Sequence, residues 1–185
     1  MIPNTTYRSL LLLTLMVWLV TPSRATEPVK GSHGQVLFRI ERSKDSDEVW
    51  YVVNMDQHGM PDQDMPVKVF WYKKESGNRI EPLTGIQQKF SYGIHSVYPD
   101  KAVTDTWKFR LAAYKNRIFV LKKSDGNQYR VYTDFNGMEM EVRKLYVKFD
   151  GGSFLAPTIS YVSLSGIDPL TDEEVTEIIS GQSTS

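Results

Sequence analysis

The sequence predicts a mainly β, antiparallel fold, a sandwich or a partly closed barrel of about eight or nine strands. One short helix is inserted and another closes the C-terminus. Three observations carry this. Runs of period-two alternation are rich in β-branched and aromatic residues. An Asn-Gly pair, Asn136-Gly137, sits between two such runs, the strongest short hairpin signal. Turn signals recur every 8–12 residues through much of the chain, as in sandwiches and barrels.

The chain opens on a segment that the fold does not need. Arg8 precedes an apolar run from Leu10 to Val20, and Pro22-Ser23-Arg24-Ala25 follows with small residues before a cut after Ala25. Eleven residues make about 16 Å of helix, half of a ~30 Å hydrocarbon layer, so the run reads as a secretory signal rather than a membrane span. The expected organisation is a signal peptide over 1–25, a flexible leader over 26–34, one β-rich domain over 35–180, and a disordered tail over 181–185. No later apolar run approaches 18 residues, so no transmembrane segment is expected after cleavage.

Within the domain, Val36, Phe38 and Ile40 alternate with Leu37, Arg39 and Glu41. Val49, Tyr51 and Val53 repeat the pattern with Trp50 and Val52 opposite, so both faces of that strand are expected to be covered. Val67, Val69 and Trp71 alternate with Lys68, Phe70 and Tyr72; the first set is assigned to the core and Tyr72 to the opposite face. Leu83, Ile86, Gln87 and Phe90 then fall at helical spacing, with Thr84 as cap, which predicts a short helix over 82–91. Trp107, Phe109 and Leu111 begin a four-strand meander. Its expected turns are Lys115-Asn116, Ser124 to Asn127, and Asn136-Gly137.

The fourth strand of the meander changes phase. Met138, Met140 and Val142 share one parity, and Leu145, Val147 and Phe149 share the other, so a bulge or bend is expected at Arg143-Lys144. Gly151-Gly152 ends it. A last run covers Ile159 to Leu164. Thr171-Asp172-Glu173-Glu174 has the form of a capping box ahead of Val175, Ile178 and Ile179, which predicts the C-terminal helix.

Composition narrows the function. The chain carries 22 basic and 22 acidic residues. Arg8 and Arg24 leave with the signal, so the mature chain holds 20 basic against 22 acidic residues, a net of −2. A nucleic-acid partner is not expected from that balance. Cysteine is absent, which removes disulfides, thiolate metal sites and cysteine nucleophiles. No Gly-rich phosphate loop and no Ser nucleophile elbow occurs. His33, His58 and His95 have no ligand-pair spacing, and no cofactor is expected.

Two features remain as site candidates. Asp56, Asp62 and Asp64 are the weak candidates for a cation, calcium by its preference for oxygen ligands, although their spacing is not that of an EF-hand loop and a plain turn explains them. Twenty of 160 mature residues are aromatic, and those near the helix are interspersed with lysines. This nominates Tyr72, Lys89, Tyr92 and His95 as ligand-binding candidates, for a sugar or another flat ligand, against the plainer reading of aromatic core and covered strand edges.

The stretches Pro66 to Tyr72 (PVKVFWY), Lys89 to Gly93 (KFSYG), Gly151 to Phe154 (GGSF) and Tyr161 to Gly166 (YVSLSG), then Thr171 through Ile178, carry a resemblance in their order. Over roughly residues 35–179 the chain resembles a family of exported bacterial proteins described only as a domain of unknown function. The resemblance implies bacterial export and a single domain, and adds no mechanism. The expected function is a non-catalytic binding or interaction module, periplasmic or secreted, with an envelope glycan or another protein as partner. The alternative is a hydrolase acting on cell-envelope material through carboxylate or histidine residues.

Overall fold

The computed structural model describes residues 34–152 and 157–180. The expected signal, leader up to residue 33, and tail after residue 180 lie outside the described residues. In chain order the elements are β1 (Val36–Arg42), β2 (Asp45–Val53), β3 (Val67–Lys73), β4 (Arg79–Pro82), α1 (Gly85–Phe90), β5 (Ile94–Pro99), β6 (Thr106–Leu111), β7 (Tyr114–Lys123), β8 (Tyr129–Phe135), β9 (Met138–Gly152), β10 (Pro157–Ile167) and β11 (Glu174–Ser180). A single 3₁₀ turn, Asp125–Asn127, joins β7 to β8.

The eleven strands form one sheet curled into a half-barrel, in the order β4-β3-β2-β1-β9-β8-β7-β6-β5, with β10 and β11 added along β9. All neighbours are antiparallel except β1 and β9. The first half of β9, Met138 to Glu141, pairs with β8. Its second half, Lys144 to Val147, pairs with β1. The switch falls at the expected phase slip. Opposite β10, the partner of Ser165 is Lys144 while that of Gly166 is Val142, so Arg143 is the extra residue. The bulge lets Met140 and Val142 on one side of it, and Leu145 and Val147 on the other, all reach the core.

Burial of the two wings against each other explains the curl. Tyr51 of β2 stacks on Phe38 of β1, Phe38 on Phe119 of β7, and Phe119 on Phe109 of β6, with centroids 4.3, 5.9 and 5.5 Å apart. All four rings are buried in one cluster. Strand β2 is covered on both faces from Asp47 to Val53, as its double-sided apolar pattern predicts. The β8–β9 hairpin turns at Asn136-Gly137, both at positive φ (52° and 92°), and Asp134 accepts a hydrogen bond from the Gly137 amide. That is the two-residue geometry that Asn-Gly favours.

Four expectations change. The C-terminal segment is a strand, not a helix: β11 pairs with β10 from Tyr161↔Ser180 to Ile167↔Glu174. Val175, Glu177 and Ile179 are half-buried and alternate with exposed Thr176 and Ile178. Three of the last five residues of that run are β-branched at alternating or adjacent positions, and the free edge of β10 supplies the pairing that decides. Thr171 sits in the turn instead, where Asp172 is at positive φ. The β6–β7 turn is at Ala112-Ala113, not Lys115-Asn116, because β7 begins at Tyr114, which pairs with Leu111. The inserted helix is six residues long rather than ten. The strands number eleven because short β4, β5 and β11 escaped the pattern.

Candidate functional site

Helix α1 connects the two ends of the sheet. Strand β4 and strand β5 are the terminal strands of the curl, and no strand among the described residues joins them. The chain crosses from one to the other through Leu83, α1 and Gly93. Thr84 caps the helix: its hydroxyl accepts from the Gln87 amide and the Gln87 side chain accepts from the Thr84 amide. Gln87 also accepts a 3.1 Å hydrogen bond from the Trp71 indole, which ties the helix to β3. On the other side the helix lies directly on Gly93, where a Cβ would fall 2.0 Å from the Gln88 carbonyl oxygen.

Under this strap is a cavity of about 670 Å³. That is within the roughly 300–1,000 Å³ range of small-molecule sites. Its walls are β3 and β4 on one side and β5 on the other, with Phe109 of β6 behind and Gln88 of α1 above. Residues of both strand parities line it. Val67, Val69 and Val97 belong to the core-facing set, whereas Lys68, Phe70 and Ser96 belong to the other. A space lined by both faces of a strand lies at that strand's edge. Strand β4 covers β3 only from Phe70 to Lys73, so the edge from Val67 to Val69 borders the cavity.

The cavity lining is mostly apolar, with polar groups at few points. Ser96 has a buried hydroxyl without a hydrogen-bond partner. It follows a bulge in β5: Ile94 pairs with Leu111 and Ser96 with Arg110, leaving His95 unpaired in register. His95 is exposed at the cavity wall. Lys68, exposed on β3, forms no ion pair among the described residues. Asp64, at the end of the loop before β3, is the remaining charged wall residue.

The four ligand-binding candidates are therefore divided. His95 lines the cavity. Tyr72 lies on the opposite face of β3 from Trp71, half-buried against Trp50, with ring centroids 4.0 Å apart. Lys89 is exposed on α1, its ammonium 5.2 Å from the Phe90 ring. Tyr92 meets the Trp71 ring edge-on at 5.3 Å, and its carbonyl accepts a hydrogen bond from the buried Tyr51 hydroxyl. Burial, and next to it the neighbouring Tyr92, push the Tyr51 hydroxyl well above its ordinary value, so it remains a donor. The Arg42 guanidinium lies 4.3 Å from the Trp71 ring and pairs with Asp45. Burial works against its charge, but Tyr92 and Asp45 outweigh that and hold the guanidinium protonated. Tyr92 is thus part of a structural cluster beside the cavity.

The acidic loop is a pair of turns. Asp56 accepts from the amides of His58 and Met60, and Asp62 from those of Asp64 and Met65. The bond from the Met60 amide is the main cause that lowers the Asp56 pKa. Among the described residues no group of three His, Asp or Glu side chains is placed to hold a metal ion. Sequence reasoning missed most of the cavity wall, notably Leu83, Val97 and Ser96. The signal was there in part, since Ile94 to Pro99 alternates weakly and follows the helix directly.

Fold and cavity define a half-open β-barrel with an apolar slot at its seam. The chain belongs to the family described as a domain of unknown function (DUF4833), whose model matches residues 38–178. No curated protein and no solved structure matches it. No helix among the described residues is long and apolar enough to cross a membrane.

Proposed function

We propose that this protein is a non-catalytic binding module, exported to the periplasm or beyond, that takes a largely apolar ligand into the slot between β3 and β5. The observation that carries the reading is the cavity itself: ligand-sized, apolar, and placed where the curl of the sheet stays open. Two carboxylates with displaced pKa values lie outside the cavity. A general acid at neutral pH needs a raised pKa. Asp47 is instead lowered, with burial opposing and the Lys73 ammonium and the Glu75 amide prevailing. Asp100 is lowered by Lys108 and by the Ala102 amide. Neither lines the cavity. Export rests on the signal-like segment before Thr26.

The test is fluorescence of the neutral probe N-phenylnaphthylamine. The purified protein should enhance it saturably, and Val69→Trp, which fills the slot, should abolish the effect while circular dichroism stays unchanged. Val97→Trp replaces that variant if it does not fold. A native protein that gives no enhancement would overturn the reading. For export, intact mass of protein from the envelope fraction should correspond to a chain starting near Thr26, and retention of Met1 would contradict cleavage.

A further inference from the structure

Resting on that reading, we infer that the ligand is a single-chain amphiphile with an anionic head, of the fatty-carboxylate class, and that Lys68 receives the head. The apolar body of the cavity suits a hydrocarbon chain. Val67, Val69, Leu83, Val97 and Phe109 offer it no polar competitor, and burying such a chain removes apolar surface from water. The polar groups of the wall determine the head. Lys68 stands at the uncovered edge of β3 with its ammonium free of any ion pair or hydrogen bond among the described residues. Several other lysines of the sheet are engaged. Lys73, Lys74, Lys108, Lys122 and Lys144 each meet a carboxylate.

Across the slot, the wall of β5 carries His95, exposed to solvent, and Ser96 next to it. The one wall carboxylate, Asp64, makes no ion pair with Lys68 and lies on an exposed loop. The mouth also suits delivery from a lipid phase. Met65, at the cavity wall, is an exposed large apolar side chain there.

The experiment displaces N-phenylnaphthylamine from the purified protein with dodecanoate, dodecanol and dodecylamine, each below its micelle-forming concentration. Dodecanoate should displace the probe at about one tenth of the dodecanol concentration, since a charge-assisted hydrogen bond is worth a factor of ten or more. Lys68→Met should bring acid and alcohol together while alcohol binding persists. Lys68→Glu should reverse the preference toward dodecylamine, an outcome that loss of folding cannot mimic. If the three compounds displace the probe equally from the native protein, the head-group inference is overturned and the apolar cavity stands. A preference for the acid that survives both Lys68 variants overturns it too. A native protein that never binds the probe overturns the cavity reading itself.

Discussion

Trp71 and Tyr72 are adjacent in sequence and opposite in role. Trp71 is 4% exposed, packed by Tyr92, capped by the Arg42 guanidinium, and hydrogen-bonded to Gln87. Trp71→Ala should destabilise by roughly 3–5 kcal/mol, the range of large-to-small core changes. It should also release α1, because the indole is its tie to β3. Tyr72→Ala removes an outer-face stack on Trp50 and should cost about 1 kcal/mol. Chemical denaturation of both variants checks the order, and equal losses would contradict the face assignment. Asp47 gives a pH-dependent counterpart. Its folded pKa is lowered from 3.8, so the ionised form is the one the fold favours. The stability it contributes is complete above 3.8 and is lost as pH falls through the lower folded value. Asp47→Asn should therefore unfold earlier than the native chain at neutral pH. The gap should close in acid below that value, as followed by melting temperature across a pH series.

At the scale of elements, the β8–β9 hairpin and the β10–β11 hairpin are held in different ways. The first depends on its turn. Gly137 has φ near 92°, a region that β-branched residues resist, so Gly137→Val should cost more than about 1 kcal/mol. An unchanged melting temperature would mean that the turn does not set this register. The second hairpin depends on side chains. Arg117 of β7 makes a bidentate pair with Glu177 of β11 at 2.7 Å and also donates to the Asp134 carbonyl. The hydroxyls of Ser165 on β10 and Thr176 on β11 share a hydrogen bond. These long-range contacts show why the helical reading of Thr171 to Ile179 fails. A capping-box pattern measures only local preference. An unpaired edge on β10 offers seven cross-strand pairs, which a two-turn helix could not replace.

Across the whole molecule, the half-barrel should be least stable at its seam. Strands β4 and β5 each have one neighbour, whereas β2, β1 and β9 lie within the sheet and bury the main core. Hydrogen exchange should accordingly be fastest in β4, α1 and β5 and slowest in β2 and the centre of β9. Uniform protection across these strands would contradict a weak seam. An occupied slot should slow exchange at the Val67 to Val69 edge and in β5 before any other strand. A seam that opens most easily is also where an apolar ligand can enter without disturbing the aromatic stack of Tyr51, Phe38, Phe119 and Phe109.

Local chemistry is what the sequence determined. Alternation assigned Val67, Val69 and Trp71 to one face and Tyr72 to the other. Asn136-Gly137 marked its turn because only positive-φ residues suit it, and the parity change around Arg143 marked the bulge because a strand cannot change faces otherwise. Thr84 marked the cap of α1, and the structure adds its reciprocal bonds with Gln87, three residues on. Tertiary structure decided whatever depends on residues far apart in the chain. The pairing of β1 with β9 joins positions about a hundred residues apart, and nothing in either strand specifies the other. The same holds for the slot. Lys68 read as an outer-face residue of its strand and Ser96 lay in a stretch whose strand the pattern missed, and only the failure of β4 and β5 to meet places them around one cavity. Periodicity reports which face a residue occupies. Where the sheet stops is set by the packing of the two wings, and in this protein the candidate site is built at that stopping edge.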